Sequence, residues 1–272
     1  MRRLLIAGSR GFVGGHLKMA AGCMMVCDDA GLDITDPASV RAVFERERPD
    51  AVALLAAVSD IDRCQREREL ARRVNVDGAV NVARECVRGG AHLIFASSGA
   101  VFDGARHGYT EADPPSPISV YGETKARAEA EIGRRLPGAA IVRLSLVLGF
   151  ARRDGTNSLL NKLAAGFRTG RRVAAPVDEF RNPVDVRTVA ECFLWLAASD
   201  HAGVWHLGST ATLSRYDLVM RLAARMGYPE TLVTAQTAPI PGRAPRGRDH
   251  FLIPGRLRAL RPDLVLSTHE FI

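Results

Sequence analysis

The first half of the chain alternates short apolar runs with longer segments of helical periodicity. A short apolar run bounded by glycine or polar residues is typical of a strand that is buried on both faces of a parallel sheet. Such runs lie at Leu4–Ala7, Met24–Cys27, Ala51–Ala56, Leu93–Ala96 and Ala140–Leu146. Because strands and helices alternate, we expect an α/β fold with a doubly wound parallel sheet.

Helical segments separate these strands, and the rhythm changes after Gly149. The predicted helices are one from about Val13, then Val40–Arg48, Gln65–Arg88 in one or two pieces, Ser119–Arg135, Asn157–Arg168, Val186–Ala198 and Leu213–Met226. The other segments are a polar loop at Ser97–Pro117, a loop or short strand at Val173–Phe180, a strand at Val204–Leu207 and a tail rich in Pro, Gly and Arg at Ala238–Pro254. We therefore expect a domain over residues 1–150 and a smaller region over 151–272, interleaved because parts of 180–210 return to the first domain.

Composition is typical of a globular protein and excludes one class of partner. The 272 residues are 47% hydrophobic and 25% charged, with a formal net charge of +7 and a pI of about 9.6. A basic balance can attract nucleic acid or an anionic small molecule, or it can reflect arginines spread over solvated helix faces. Because no dense basic block is interleaved with aromatics, we favour the second interpretation and expect no nucleic-acid partner. An anionic substrate is compatible with both.

The cysteines, the histidines and the apolar runs indicate a cytoplasmic protein without a metal site. The five cysteines are scattered and form no CxxC, so we expect reduced, mostly buried thiols. The seven histidines show no spacing that demands a metal. The longest apolar run, Ala51–Val58, is too short to span a bilayer, and the N-terminus shows no signal-peptide pattern. We therefore expect no membrane partner.

A glycine-rich loop directly follows the first predicted strand. Gly8-Ser9-Arg10-Gly11-Phe12-Val13-Gly14 has the spacing GxxGxxG and opens the first predicted helix. The first glycine permits a tight turn, the second lets the backbone approach a pyrophosphate, and the third lets helix and strand pack closely. N–H groups at the helix N-terminus then hold the phosphates. This context predicts a Rossmann-type domain over residues 1–150 that binds NAD or NADP through the loop.

Asp28 lies at the end of the second predicted strand, twenty residues after Gly8. A carboxylate there can accept hydrogen bonds from the adenosine ribose and would repel a 2′-phosphate, which favours NAD. Asp29 follows, where a protein that prefers NADP would often carry arginine. Two observations keep NADP open: the aspartates also begin an acidic turn towards Asp33, and Arg10 could reach a phosphate. The predicted cofactor is NAD or NADP, with a preference for NAD.

Tyr121 and Lys125 lie four residues apart, on one face of a predicted helix. Lys125 is one of only three lysines in the chain, so its position one turn after a tyrosine indicates a specific role. A phenol titrates near pH 10, and a nearby ammonium lowers that pKa towards the range useful in carbonyl–alcohol chemistry. Ser98, beyond the fourth predicted strand, can donate a hydrogen bond to a substrate oxygen. By itself, the YxxxK spacing also fits a tyrosine and a lysine that lie at the protein surface. Together with the glycine loop and Ser98, it predicts a site of proton transfer.

These motifs resemble, in type and order, the extended short-chain dehydrogenase/reductases. The resemblance is greatest to the dTDP-4-dehydrorhamnose reductase branch, which reduces keto groups of nucleotide-linked deoxysugars. The matching stretches are Gly8–Gly14, Leu32–Pro37, Arg48–Val52, Val74–Gly78, Val101–Gly104, Val120–Lys125, Phe180–Val186, Val204–Leu207, Ser214–Tyr216 and Arg246–Leu257. Val101-Phe102-Asp103-Gly104 is the most branch-specific of them. The resemblance covers nearly the whole chain and implies an NAD(P)-dependent oxidoreductase.

The resemblance assigns roles by position. Tyr121 would be the general acid that protonates the reduced carbonyl oxygen, and Lys125 would lower its pKa and hold the nicotinamide ribose. Ser98 completes the catalytic set, and Ala56 and Ala57 would line the cofactor. The candidate substrate ligands are Ser98, Gly99, Ala100, Asn157, Arg181 and Arg246, of which Arg246 resembles a late arginine that contacts a nucleotide-sugar phosphate. The implied partner is a nucleotide sugar, and the assembly could be a homodimer.

Gly99-Ala100 departs from this branch, whose reductases usually carry Asp-Tyr there. Neither residue can move a proton, which disfavours a 4,6-dehydratase, and Gly-Ala is closer to sugar C4 epimerases. We expect an NAD(P)-dependent reductase of a keto group on a nucleotide-linked sugar. Two alternatives stay open, an NAD-dependent nucleotide-sugar epimerase and a non-catalytic NAD(P)- or sugar-nucleotide-binding subunit. The short chain and Val101–Gly104 count against the epimerase, and the intact catalytic set counts against the subunit.

Overall fold

Strands and helices alternate along the structure, a computed structural model that describes residues 2–22, 25–27, 30–153, 155–237, 239–240 and 242–267. Its strands are β1 (Arg3–Ala7), β2 (Met25–Cys27), β3 (Ala51–Leu54), β4 (His92–Ser98), β5 (Ala140–Leu144), β6 (Val147–Leu148), β7 (Val173–Pro176), β8 (Phe180–Arg181), β9 (Val184–Asp185), β10 (Gly203–Leu207), β11 (Leu213–Ser214), β12 (Val233–Gln236) and β13 (Asp249–His250). Its α-helices are α1 (Phe12–Ala20), α2 (Pro37–Glu47), α3 (Ile61–Arg66), α4 (Arg68–Arg72), α5 (Ala79–Gly89), α6 (Val120–Arg135), α7 (Leu159–Arg168), α8 (Val186–Ala197), α9 (Arg215–Arg225) and α10 (Gly255–Leu260). A π-helical turn at Arg73–Gly78 joins α4 to α5, and 3₁₀ turns lie at Gly99–Val101, Glu230–Leu232 and Pro262–Leu264.

The central sheet consists of six parallel strands in the order β2-β1-β3-β4-β5-β10. Its register places Val52 beside Leu93 and Phe95 beside Ile141. All four side chains are buried, as continuous apolar runs predict for a sheet covered on both faces. From β1 the chain passes first to β2 on one side and later to β3 on the other. The carboxyl ends of β1 and β3 therefore flank a crevice, which is where open parallel sheets bind ligands.

Helices cover both faces of this sheet. On one face, α1 and α8 contribute Leu17 and Phe193 to a buried apolar cluster. On the other face, α2, α5 and α6 contribute Val43, Val82 and Ile132. The doubly wound parallel sheet predicted from the sequence is confirmed. α8 and β10 also belong to the central sheet and its helical cover, although α7 and three short strands precede them in the chain.

The other strands are short and lie outside the central sheet, mostly in the C-terminal region. β8 lies between β11 and β13, β7 pairs with β12, and β6 pairs with β9. α7 and α9 build a separate core with side chains that include Phe167 and Leu222. The sequence pattern missed the two-residue strands because so short a run carries no periodicity. The division into residues 1–150 and 151–272 stays a prediction.

Capping side chains decide where two helices begin. Ser158 accepts a hydrogen bond from the backbone N–H of Asn161 at 3.3 Å, and Ser214 accepts one from Asp217 at 2.9 Å. Each serine satisfies a donor that the first helical turn would leave unpaired. α7 and α9 therefore both begin two residues later than the sequence pattern predicted.

Three predicted segments differ from the structure. β4 continues through Ser98, so Ser97 and Ser98 are strand residues and the predicted polar loop begins later. The helix predicted over Gln65–Arg88 begins at Ile61 and is divided into three helices and the π-helical turn. β3 also ends at Leu54, earlier than predicted. Periodicity gave no sign of the continued pairing between β4 and β5 that extends the strand.

Three of the cysteines are described as buried free thiols, Cys64, Cys86 and Cys192. Burial raises the pKa of Cys64 to about 11 and that of Cys192 to about 12, which keeps both protonated at neutral pH. Among the helices that the structure describes, none is both long and apolar enough to cross a membrane.

A buried ion pair lies between α6 and the sheet. Arg143 on β5 donates to both carboxylate oxygens of Glu129 on α6, at distances of 2.8–3.2 Å, and Ser97 on β4 donates to the same carboxylate. His206 on β10 borders the pair. Burial lowers the pKa of His206 to about 3, so this ring adds no charge at neutral pH. The two buried charges therefore depend on each other.

Glu129→Ala should lower the free energy of unfolding by about 3–5 kcal/mol, because Arg143 then keeps its buried charge without a carboxylate to pair with. Urea denaturation followed by circular dichroism measures the change. Glu131→Ala is the control, since Glu131 lies on the same helix and pairs with Arg134 and Arg135 at the surface. The control should lose no more than about 1 kcal/mol. Equal losses in the two variants would contradict the role given to the buried pair.

Candidate active site

The glycine loop is formed by close backbone contacts between β1 and α1. Gly8 has φ +100°, a conformation that side chains rarely allow, and its carbonyl accepts a hydrogen bond from Gly11 N at 3.0 Å. A Cβ on Gly14 would overlap that carbonyl, so only glycine permits this approach. The N-cap of α1 is Gly11, which offers no capping side chain. Phosphate oxygens can therefore take the place of a cap at the start of α1.

A cavity of about 490 Å³ opens beside this loop, at the carboxyl ends of β1 and β3. Its walls comprise Gly8, Arg10, Gly31, Leu32, Asp33, Ile34, Thr35, Ala56 and Val74. Asp33 accepts hydrogen bonds from the side chain and the backbone of Thr35, which hold the pKa of its carboxyl below the usual range. Asp33 is therefore ionised at neutral pH. The loop, the uncapped helix start and the cavity together fit a dinucleotide.

The predicted cofactor residues do not all line the cavity. Gly8, Arg10 and Ala56 are among its walls, whereas the other members of the glycine loop lie at the start of α1. Ala57 is half-buried and follows Ala56 outside the cavity walls. Asp28 lies outside the described residues. The sequence did not indicate that residues 31–35 form a wall of this cavity, although the stretch Leu32–Pro37 is part of the family resemblance.

Tyr121 and Lys125 lie in the first two turns of α6, which Ser119 caps. The Lys125 side chain runs towards β4 and is only 3% exposed. Its Nζ donates to the carbonyl of Ala96 at 2.9 Å and lies 4.7 Å from the centroid of the Phe95 ring. A buried ammonium needs such partners, because water no longer solvates it. The lysine is thus oriented by the strand and not by the tyrosine.

Ser98 is the last residue of β4, and its side chain lies close enough to Tyr121 to lower the pKa of the phenol in part. Its Oγ also accepts a hydrogen bond from Ala100 N at 3.2 Å, which starts the 3₁₀ turn after the strand. This turn packs so closely on α6 that a Cβ on Gly122 would overlap the carbonyl of Ala100. Ser98, Tyr121 and Lys125 therefore lie together at the carboxyl end of β4, one strand away from the end of β3 that borders the cavity.

The pKa of Tyr121 differs from the sequence expectation. Burial raises it to about 12, and the hydrogen bond with Ser98 lowers it only in part. The sequence predicted that Lys125 would lower this pKa, whereas the dehydration of the phenolate dominates in this structure and raises it. Burial also lowers the pKa of Lys125 to about 8, against the opposing effect of Glu129. At neutral pH, Tyr121 is a phenol, the form that a proton donor requires.

Asn75 is a buried residue of the π-helical turn that sequence reasoning gave no role. Its Oδ1 accepts from Val58 N at 2.8 Å, and its Nδ2 donates to Val58 O and to Thr124 Oγ1, both at 3.1 Å. Val58 belongs to the loop after β3, and Thr124 precedes Lys125 on α6. Asn75 therefore ties the cofactor side of the crevice to the catalytic helix. π-Helical turns are often retained at functional sites.

Gly99 and Ala100 were both predicted to touch the substrate, and the structure places them differently. Gly99 is buried, and the Leu252 side chain lies 3.4 Å from the position of a Cβ at this residue. Its side-chain position therefore faces packed atoms and not open space. Ala100 is half-buried, beside Ser98. A substrate contact from Gly99 could come only from its backbone.

Four arginines gather in the C-terminal region: Arg181, Arg215, Arg243 and Arg246. Burial, above all, lowers the pKa of Arg181 and of Arg215 to about 10 each, and the other arginines add to the shift. Arg181 donates to the backbone carbonyls of residues 180, 247 and 248, so it holds the segment that carries Arg246. No described residue accepts a hydrogen bond from the buried Nη1 of Arg215. Such an excess of guanidinium groups suits an anionic ligand.

Two carboxylates oppose these arginines. Glu179 faces Arg243 at 3.2–3.3 Å, and Asp62 on α3 faces both terminal nitrogens of Arg246 at 2.9–3.1 Å. Sequence reasoning found Arg181 and Arg246 through the family resemblance. It missed Asp62, Arg215 and Arg243, because their partners lie far away in the chain.

Asn157, the remaining predicted substrate ligand, lies near the N-terminal end of α3. Its Nδ2 donates to Ser59 Oγ at 3.2 Å, and its Oδ1 accepts from Lys162 Nζ at 2.5 Å. Lys162 also reaches Asp60 at 3.4 Å. In this structure the amide is occupied by protein partners. Among the described residues, no group of histidine, cysteine or acidic side chains could hold a metal ion.

Comparison with known proteins agrees with this geometry. The family described as "RmlD substrate binding domain" matches residues 1–260. A dTDP-4-dehydrorhamnose reductase of Mycobacterium tuberculosis is 31% identical over 255 residues, which cover 90% of this chain and 82% of that protein. Methionine adenosyltransferase 2 subunit beta of Danio rerio is 26% identical over 262 residues, which cover 87% and 77% of the two chains. The dTDP-4-dehydrorhamnose reductase of Bacillus anthracis, solved in complex with NADP, shares the fold with a TM-score of 0.88 at 24% identity, over 98% of this chain and 94% of that chain.

Gly14→Ala should weaken the binding of NADH and NADPH about tenfold or more, because the added Cβ overlaps the Gly8 carbonyl and moves α1 off the loop. Titration of the intrinsic fluorescence with each dinucleotide measures the change. The matched control is Gly15→Ala, whose Cβ would meet Ser9 O at an ordinary 3.9 Å. Equal dissociation constants for the two variants would rule out the loop as the phosphate site.

Proposed function

The chain belongs to the RmlD substrate binding domain family, and on that premise we propose that it reduces a keto group on a nucleotide-linked deoxysugar with a nicotinamide cofactor. The observation that carries the proposal is the meeting of Ser98, Tyr121 and Lys125 at the carboxyl end of β4, next to the crevice. Tyrosine, serine and a buried lysine in that arrangement suit proton transfer to a carbonyl oxygen.

The chemistry divides between the cofactor and the side chains. Bound in the crevice, a reduced nicotinamide would supply a hydride to the carbonyl carbon. Tyr121 donates its phenolic proton to the carbonyl oxygen, so one hydride and one proton convert the ketone into an alcohol. Ser98 hydrogen-bonds the same oxygen and polarises it. Lys125, whose pKa burial lowers to about 8, is still charged at neutral pH and stabilises the phenolate that Tyr121 becomes.

NAD is the cofactor that we propose as preferred. The support is Asp28, since a carboxylate at the end of the second strand accepts hydrogen bonds from a free ribose and repels a 2′-phosphate. Arg10, on the wall of the cavity, is the side chain that would favour NADP. The Bacillus anthracis reductase was solved with NADP, so both dinucleotides belong in the assay.

The arginine cluster is the proposed site for the substrate's diphosphate. Arg246 presents a planar fork of donors that matches phosphate oxygens, and Arg215 adds a buried donor without a described partner. The Mycobacterium tuberculosis relative is named for a dTDP-linked sugar, which carries such a diphosphate. We therefore place the nucleotide end of the substrate at Arg215 and Arg246 and the sugar end at Tyr121.

Two other functions remain alternatives. Gly99-Ala100 favours a nucleotide-sugar epimerase, and the Danio rerio relative named as an adenosyltransferase subunit favours a binding subunit without turnover. Both would use the same crevice. A cytoplasmic location and a homodimer stay predictions from the sequence.

Purified protein should oxidise one NADH for each dTDP-4-dehydrorhamnose molecule reduced, with a higher kcat/KM for NADH than for NADPH. Absorbance at 340 nm and mass spectrometry of the sugar product measure both sides of the reaction. Interconversion of UDP-hexoses without net NADH consumption would instead identify an epimerase. Binding of both ligands without product would identify a binding subunit.

Tyr121→Phe should lower kcat by about 10²–10⁴-fold, because it removes the proton donor and leaves the ring in place. The dissociation constant for NADH should change less than about twofold, since the glycine loop is untouched. Tyr228→Phe is the control, because Tyr228 packs on Phe167 in the C-terminal core, away from β4. If Tyr121→Phe kept the full rate, Tyr121 could not be the proton donor.

A further inference from the structure

Asp62 and Arg246 form an ion pair across the two parts of the molecule. Asp62 lies on α3, which follows β3 at the ligand-binding edge of the sheet, and Arg246 lies in the C-terminal segment before β13. The carboxylate accepts from both terminal nitrogens of the guanidinium, at 3.1 and 2.9 Å, and from the backbone N–H of Ala244 at 2.8 Å. The fork of Arg246 that suits a phosphate is therefore already occupied by a carboxylate.

The other carboxylate of the cluster is held differently. The Glu179 side chain is 4% exposed, and its backbone carbonyl accepts from Arg215 N at 2.7 Å, so it is fixed within the C-terminal region. The Asp62 side chain is 32% exposed and belongs to the opposite part of the molecule. Burial alone would raise the pKa of Asp62, but the hydrogen bonds from Arg246 and Ala244 more than offset it, so Asp62 is charged at neutral pH. Of these two carboxylates, Asp62 is the one that can leave its arginine without exposing a buried side chain.

We propose that Asp62 is an internal counter-ion, which occupies the Arg246 fork until the diphosphate of the substrate displaces it. The proposal rests on the proposed function, because it takes the arginine cluster to be the diphosphate site. Asp62 thereby opposes ligand binding: its bonds to Arg246 must break, and its charge repels the incoming anion. The carboxylate sets the affinity for the diphosphate, and it neutralises Arg246 between turnovers.

The physical consequence is that Arg246 exchanges a carboxylate partner for a phosphate partner. The diphosphate takes over the donors of Arg246, and it can also satisfy the buried Nη1 of Arg215. Asp62 loses its hydrogen bonds from Arg246 but can still accept one from Ala244, because that donor is a backbone N–H. The same exchange loosens the link between α3 and the segment that carries Arg246.

The test compares the binding of inorganic pyrophosphate and of dTDP to the full chain and to Asp62→Asn. Asparagine keeps the shape and the acceptor for Ala244 but removes the charge. Isothermal titration should show dissociation constants at least about fivefold lower for Asp62→Asn with both probes, because a partly exposed bidentate pair no longer competes. Unchanged or weaker binding would overturn the proposal, since Asp62 would then merely orient Arg246.

Two further variants make the result specific. Asp60→Asn removes the same charge two residues away, where the side chain caps α3 and pairs with Lys162 and not with Arg246. Asp60→Asn should change the dissociation constants for both probes less than about twofold. An effect equal to that of Asp62→Asn would overturn the proposal, because long-range charge repulsion would then explain both results. Arg246→Gln should abolish the gain of Asp62→Asn, and a gain that persists would also overturn it. Failure of the sugar-reduction assay with these binding results intact would overturn the reductase and leave the counter-ion standing.

Discussion

The contact between α6 and β4 is the constraint on which the catalytic end of the site depends. α6 buries two charged side chains, Lys125 and Glu129, and each is bonded to the strand, at Ala96 and at Ser97 respectively. A buried charge is strongly unfavourable unless it keeps its partners, so the helix has one acceptable position on the strand. That position sets Ser98 opposite the tyrosine one turn before Lys125. The position of the catalytic side chains therefore follows from the bonds that the buried charges of α6 make with β4.

The same burial decides the protonation states. Removal of water raises the pKa of Tyr121 to about 12 and lowers that of Lys125 to about 8, so both shifts disfavour the charged forms. A phenol that holds its proton is a donor at neutral pH, which suits reduction of a ketone more than oxidation of an alcohol. The Ser98 side chain acts in the opposite sense, because it lowers the pKa of Tyr121. Desolvation thus keeps Tyr121 protonated before the reaction, and the Ser98 side chain makes the loss of that proton less unfavourable.

The two ends of the crevice differ in electrostatics. Around Tyr121 the charges are few and paired, whereas the arginine cluster is held in balance by carboxylates from both parts of the molecule. Asp62, Ser59 and Asp60 all lie at or just before α3, and all three contact the C-terminal region. This short helix therefore links the cofactor side of the crevice to the proposed nucleotide site. A ligand that changes the partners of Arg246 acts on that link.

The amino-acid sequence by itself determined the parallel sheet, the glycine loop and the placement of Tyr121 and Lys125 one turn apart on a helix. Each follows from a local rule: apolar runs mark buried strands, glycine alone allows the close approach at Gly14, and residues four apart share a helix face. Only the tertiary structure decided the direction of the Tyr121 pKa shift, which depends on how much water the folded chain excludes. Only it paired Asp62 with Arg246, because no local pattern connects residues that meet through the packing of α3 against the C-terminal segment.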